Sequence, residues 1–274
     1  MEKLKNKAYE IRKKMLKMCI DGKKGHVTSC FSCIEILVAL YYGKVLRYDP
    51  KNPDWVNRDR FILSKGQASP ALYTILANLG FYDEKELKKF NKLGGMFGVH
   101  LQKDVPGVEL TVGSLGQGFG IAAGMALGAK LNNKLYNVYA LLGDGECYEG
   151  SIWETAMFVS HHKLNNLITI VDRNYLCVTD FTENLVALEP FEKKWESFGF
   201  NVIQIDGHSF KEIIFALNRQ KRKFYNKPII IIANTIKGYG VKSLCYDPIW
   251  HGAAPPPEME QICFKELEEN YNNE

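Results

Sequence analysis

Apolar residues at Leu4, Ala8, Ile11, Met15, Met18 and Cys19 share one side of a 3.6-residue repeat, so the chain opens with an amphipathic helix over 3–20. Asp21-Gly22 ends it, and Gly25-His26 falls in the following loop. Ser29 reads as the N-cap of a second helix reaching about Tyr42. The pattern then shortens: 59–64 reads as a strand, followed by a helix from about Ser69 to Leu79. A glycine-bearing loop covers 91–106, and the stretch 111–120 opens a helix to about Lys130. Val138 to Leu142 and Leu167 to Val171 are apolar runs of strand length, and between them Ile152, Trp153, Ala156, Val159 and Ser160 repeat at helical spacing. Beyond them a helix is predicted over 191–198, a strand over 202–206 and a helix over 210–222. Ile229 to Ile232, within 228–233, are typical of a strand covered on both faces. Residues 235–257 lack a period and form too long a loop for a plain connector; a charged helix follows at 258–270. Strand, turn, helix, strand is the order of a parallel crossover unit. The fold class expected is therefore α/β, a mostly parallel open sheet flanked by helices, with 1–258 as one domain and 259–274 as a helical tail.

The two central strand ends carry the chemistry. The first runs into Gly143-Asp144-Gly145 and the second into Asp172-Arg173-Asn174. Parallel neighbours lie ~5 Å apart, so Asp144 and Asn174 are expected side by side, at the sheet edge where open α/β folds bind ligands. A carboxylate, a side-chain amide and nearby carbonyls are hard oxygen donors, suited to Mg²⁺ or Ca²⁺. Two side chains do not fill an octahedron, so water and phosphate oxygens would complete it. Gly-Asp-Gly is also simply what tight turns use; the flanking strand and helix, and Asn174 at the matching strand end, favour the metal.

Composition narrows the classes. A net charge of +4 with scattered lysines argues against nucleic acid. No apolar run approaches the ~18 residues of a membrane span, and 1–19 lacks the apolar centre of a signal peptide. Seven cysteines, an odd number, point to reduced thiols in the cytoplasm. Cys30 and Cys33 sit in an apolar helical pattern with Phe31, Ile34 and Leu37, which reads as packing. Gly116, Gly120, Gly124 and Gly128 recur every four residues and read as a smooth stripe where another backbone packs closely.

The Gly-Asp-Gly followed thirty residues on by Asn174 resembles the signature of thiamine diphosphate enzymes. Gly143-Asp144-Gly145-Glu146, Glu149-Gly150, His162-Lys163-Leu164 and Asn166-Leu167 resemble the transketolase version in particular, and the likeness extends from about Gly25 to Pro255. It implies thiamine diphosphate with Mg²⁺ (or Ca²⁺) as cofactors, and Asp144, Asn174 and the Leu176 carbonyl as metal ligands. Gly113 and Leu115 would pack on the thiazolium and aminopyrimidine, with Gly143 and Gly145 in the diphosphate turn. His26 is implied to reach the substrate channel and His100 the reacting carbon. His251, in His251-Gly252-Ala253-Ala254-Pro255, would touch diphosphate and substrate. Glu149 would bridge two active sites at a subunit interface. The family pattern Ser-x-Gly-His appears as Ser64-Lys65-Gly66-Gln67, so Gln67 stands where a diphosphate-binding histidine is usual. Glutamine cannot become cationic, a hint of a specialised sugar.

Transketolases also contain a pyrimidine-binding domain that supplies a glutamate to activate the cofactor. The resemblance therefore implies an N-terminal subunit of a split transketolase. It would be inactive without a separate C-terminal subunit, the two forming a heterotetramer. The reaction implied is transfer of a two-carbon ketol unit from a ketose or ketose phosphate to an aldose. One rival is the α subunit of a thiamine-dependent 2-oxoacid dehydrogenase, against which stand Gly25-His26, Pro106-Gly107-Val108-Glu109 and His251-Gly252. Another is a Rossmann dehydrogenase, resting on Gly118-x-Gly120-x-x-Ala123. A non-catalytic interaction subunit is a third, suggested by Gln67 alone.

Overall fold

The computed structural model describes residues 1–219 and 227–273. Five parallel strands form its sheet: β1 (Arg60–Leu63), β2 (Val138–Gly143), β3 (Leu167–Arg173), β6 (Asn201–Asp206) and β7 (Ile229–Asn234), in the order β1-β2-β3-β7-β6. The short strands β4 (Leu176–Cys177) and β5 (Asp180–Phe181) make a separate antiparallel hairpin immediately after β3.

Alternation along the strands assigns the two faces. Tyr139, Leu141, Ile168, Ile170, Ile229 and Ile231 point into one core, completed by α1 (Glu2–Asp21), α2 (Val27–Phe31), α3 (Ile34–Tyr42), α4 (Ser69–Asn78) and α9 (Phe210–Arg219). Val138, Ala140, Leu142, Val171, Ile230 and Ile232 point into the other, against α5 (Gln117–Leu131), α6 (Gly150–His161) and α8 (Phe191–Ser197). Such two-sided burial is why these strands read as continuous apolar runs. The single turn α7 (Thr182–Leu185) follows the hairpin, and α10 (Glu260–Asn273) places Cys263 and Leu267 in the first core.

Two expectations need correction. The helix foreseen from Ser29 to Tyr42 is two helices, and its N-cap is His26, after Gly25 turns the chain at φ +126°. The break at Ser32-Cys33 frees the Ser32 hydroxyl to bond Asp172 on β3, so a tertiary partner overrides local helical preference. Along the glycine stripe a Cβ at Gly116 would strike Ser151 and Glu149 and one at Gly120 would lie 3.5 Å from Thr155, whereas at Gly124 and Gly128 this chain places nothing within 4 Å. Finally, among the described residues no strand leads directly into α5, which a Rossmann fingerprint requires. The last predicted residues of the helix over 210–222 lie outside the described residues.

Candidate active site

Connections advance from β1 to β2 to β3 and then reverse from β6 to β7, so the switch in direction falls between β3 and β7. Gly143 on β2 is in register with Asp172 on β3, which brings Asp144 and Asn174 together just past their strand ends. Both are buried, at 2% and 4% exposure. Asp144 Oδ1 accepts from the Gly145 amide at 2.8 Å, and Oδ2 from the Tyr175 amide at 2.6 Å and the Arg173 guanidinium at 3.3 Å. Asn174 Nδ2 donates to Asp172 Oδ2 at 3.2 Å, while its Oδ1 accepts from the Leu176 amide at 3.2 Å. The Asp172 contact orients the Asn174 amide, leaving Oδ1, with a lone pair to spare, as its free end.

A pocket of about 510 Å³, partly open to solvent, covers this point and brings Gln67, Leu115, Gly143, Asp144, Gly145, Asn174, Leu176 and His251 together. Three imidazoles run from it in a row: the His26 ring centroid is 5.7 Å from that of His251 and 5.8 Å from that of His100. Gly113 lies beside His100, 3.9 Å from its ring as measured from a Cβ built on the glycine. Glu149 does not join the pocket; it is exposed, with its stem beside Gly116.

Several pocket residues escaped the sequence reading. Lys65 pairs with Asp172, both almost fully buried, and also donates to the Ser29 carbonyl at 3.0 Å. Asp172 further accepts from Ser32 at 2.6 Å and from Thr235. Glu146, buried, accepts from the Ser64 hydroxyl and from the amides of Gly116 at 2.9 Å and Gly143 at 3.0 Å, tying the turn after Leu115 to the Asp144 turn. Lys237 donates to the Leu176 carbonyl at 3.0 Å and lies 2.8 Å from His251 Nδ1. The available signal was a pair of charged residues, Asp172 and Arg173, continuing an apolar strand: charges are seldom buried unless paired.

Electrostatics give the pocket a direction. Burial and the neighbouring Asp172 carboxylate push Asp144 above its ordinary range, with Arg173 and two backbone amides opposing. Burial, then the Lys65 charge, lowers Lys237 to about 8. Burial lowers His26 to about 4, helped by His100 and Lys237, and His251 to about 3, helped by Lys237. A buried carboxylate and a buried ammonium, each with its charged form disfavoured mainly by burial, thus share the pocket with His251 and, beside it, His26. A divalent cation chelated by a diphosphate would offer each a further partner of opposite charge. The donor oxygens of Asp144, Asn174 and Leu176 fit that group; Leu176 keeps a second carbonyl lone pair beyond its bond from Lys237.

The family model for the transketolase thiamine diphosphate-binding domain matches residues 5–262. The chain belongs to the transketolase family. It is 40% identical over 266 residues to the 6-deoxy-6-sulfo-D-fructose transketolase subunit SqwG of Clostridium sp. (strain MSTE9), covering 97% of this chain and 96% of that one. An apulose-4-phosphate transketolase subunit from Phocaeicola vulgatus is 35% identical, over 98% of this chain and 95% of its own. Human transketolase is 38% identical over 97% of this chain, which spans 42% of the human protein. Solved transketolases from Campylobacter jejuni (TM-score 0.87, 30% identity) and Leishmania mexicana (TM-score 0.89, 29% identity) superimpose over 100% and 98% of this chain, which spans 47% and 41% of theirs. With subunits it thus aligns almost end to end, and with single-chain transketolases over less than half their length. The chain is the counterpart of the N-terminal subunit of a split, thiamine diphosphate-dependent transketolase.

Proposed function

We propose that this pocket holds the diphosphate of thiamine diphosphate through Mg²⁺ (or Ca²⁺), and that with a separate C-terminal subunit it transfers a two-carbon ketol unit from a ketose to an aldose. The observation carrying the proposal is the placement of Asp144 and Asn174 at adjoining strand ends in one pocket, with three imidazoles at its edge. When bound, the cofactor supplies the electron sink for breaking the ketose C2–C3 bond.

This chain's residues have separable roles in the reading. Asp144, Asn174 and the Leu176 carbonyl hold the metal, and Gly143, Gly145, Gln67, His251 and Lys237 face the diphosphate. Gly113 and Leu115 support the cofactor rings. Neutral His26 and His251 can each accept a proton from a sugar hydroxyl or donate to it, which a permanently charged imidazolium cannot; His100 completes the row near the reacting carbon. Glu149, exposed, is left for contact with a second protomer.

The relatives' names specify 6-deoxy-6-sulfo-D-fructose and apulose 4-phosphate. Both are ketoses carrying an anionic group, and such a sugar is the donor we propose here, with Gln67 adapting the site to it. The partner would carry the pyrimidine-binding domain, in a cytoplasmic heterotetramer. Residues 1–258 would form the binding domain and 259–274 a helical tail. Among the described residues no helix is long and apolar enough to cross a membrane. The test is reconstitution: the purified chain alone should transfer no two-carbon units, and adding the partner with Mg²⁺ and thiamine diphosphate should start turnover. Turnover without the partner, or release of CO₂ from pyruvate by the pair, would overturn the reading.

A further inference from the structure

Lys237 enters the pocket from the turn leaving β7, and that turn is held from behind by a buried polar chain that never touches the pocket. The Ile236 amide, one residue earlier, donates to His208 Nε2 at 2.9 Å. An amide can only donate, so Nε2 must carry the lone pair and the His208 proton must sit on Nδ1. Nδ1 lies 3.0 Å from Glu35 Oε2, and the same oxygen accepts from Arg12 Nη2 at 2.7 Å. Arg12 Nη1 bonds the other carboxylate oxygen and Nη2 also reaches the Phe31 carbonyl at 3.0 Å. Burial alone would raise Glu35, but Arg12 and His208 outweigh it and hold it down at about 2, so it is ionised as the relay requires. The His208 ring stacks on Tyr239 with centroids 3.6 Å apart, clamping the turn two residues beyond Lys237 as well as one before it. Arg12, Glu35, His208, Ile236 and Tyr239, from four segments distant in sequence, meet here without themselves lining the site.

We propose that His208, oriented by the Arg12–Glu35 pair, is a positioning residue for Lys237, fixing the turn so that its ammonium meets the cofactor diphosphate. This rests on the diphosphate reading of the pocket. An accepting nitrogen within a rigid stacked ring sets the backbone at Ile236, and with it the direction of the next side chain. His208→Phe keeps the stack and loses both hydrogen bonds. His208→Gln can place an amide oxygen where Nε2 stood.

The experiment is thiamine diphosphate binding by the full chain at saturating Mg²⁺, measured calorimetrically for wild type, Lys237→Met, His208→Phe, His208→Gln and the Lys237→Met/His208→Phe double variant. The expected result is a roughly tenfold or greater weakening for either Lys237→Met or His208→Phe, the double variant no weaker than Lys237→Met, and His208→Gln near wild type. Such non-additivity is the mark of action through the lysine; general loosening of the fold would weaken both backgrounds equally, and that equal loss would overturn the proposal. No cofactor binding by wild type would instead remove the diphosphate reading, and the positioning claim with it. Should His208→Phe fail to fold, the wild-type His208 ¹⁵N shifts still decide. Protonated Nδ1 with a bare Nε2 is required, and the opposite tautomer would overturn the relay.

Discussion

Lys65→Met keeps most of the side-chain stem but deletes the ammonium paired with Asp172. Asp172 is 0% exposed and Lys65 5%, so water does not replace the lost charge. The carboxylate would keep three neutral donors, from Ser32, Thr235 and Asn174, and the Ser29 carbonyl would lose its lysine donor. Removing one partner of a buried ion pair costs about 3–5 kcal/mol; the retained donors place this case near the low end, about 3 kcal/mol. Asp172→Asn leaves the ammonium buried instead and should also destabilise. The double variant Lys65→Met/Asp172→Asn removes both charges and should cost well under the sum of the singles. Lys65 holds Asp172 below its ordinary range against the opposing effect of burial. A carboxylate lowered in the folded state contributes stability above its unfolded pKa, which is lost as pH falls through the folded value. Without Lys65 the folded carboxylate takes up a proton more readily, so the variant's deficit should narrow on acidification below about pH 5. Urea unfolding followed by far-UV circular dichroism at pH 7.5 and 4.5 measures all of this. A Lys65→Met cost under about 1 kcal/mol at pH 7.5, or strict additivity in the double variant, would refute the reasoning.

Other outcomes follow from the same structure. His26 and His251 are lowered on folding, so the unfolded chain protonates first; stability of the ligand-free chain should fall as pH drops from about 6.5 towards 4, and His251→Gln should fall less than wild type in urea midpoints at pH 7.5 and 5. Gly124→Ala adds a methyl group where nothing lies within 4 Å, so it should stabilise the isolated chain by up to about 1 kcal/mol through helix propensity; thermal melting checks it. Gly118→Ala drives a Cβ to 2.8 Å from the Ser64 Cα and should lower stability by about 1–3 kcal/mol. Gln67→His should shift the preference between donor sugars in steady-state kinetics of the reconstituted enzyme; unchanged kinetics on every donor would remove Gln67 as a specificity determinant.

The central strands β2, β3 and β7 were readable because each is buried on both sides and carries a near-continuous apolar run, as at Ile229 to Ile232; edge strand β6 is only partly buried. Asp144 and Asn174 were readable because parallel pairing converts a thirty-residue separation into adjacency. Ser32 and Lys65 were not, since their roles depend on Asp172 reaching them from another layer. Lys237 and His208 were obscured for the same reason: one sits in an aperiodic loop, and the other follows β6 with no local pattern marking its contact with Glu35. The stripe on α5 was visible as a spacing, but whether anything in this chain covers it is a tertiary fact.

The central claim is that oxygens from two neighbouring strand ends grip a divalent cation carrying a diphosphate. It is tested most directly by titrating thiamine diphosphate into the chain with Mg²⁺ and with a chelator, for wild type, Asp144→Ala and Asn174→Ala, with unphosphorylated thiamine as control. The account predicts Mg²⁺-dependent binding by wild type, loss of that dependence in both variants, and little affinity for thiamine. Equal binding with and without the metal, or thiamine binding as well as its diphosphate, would contradict it.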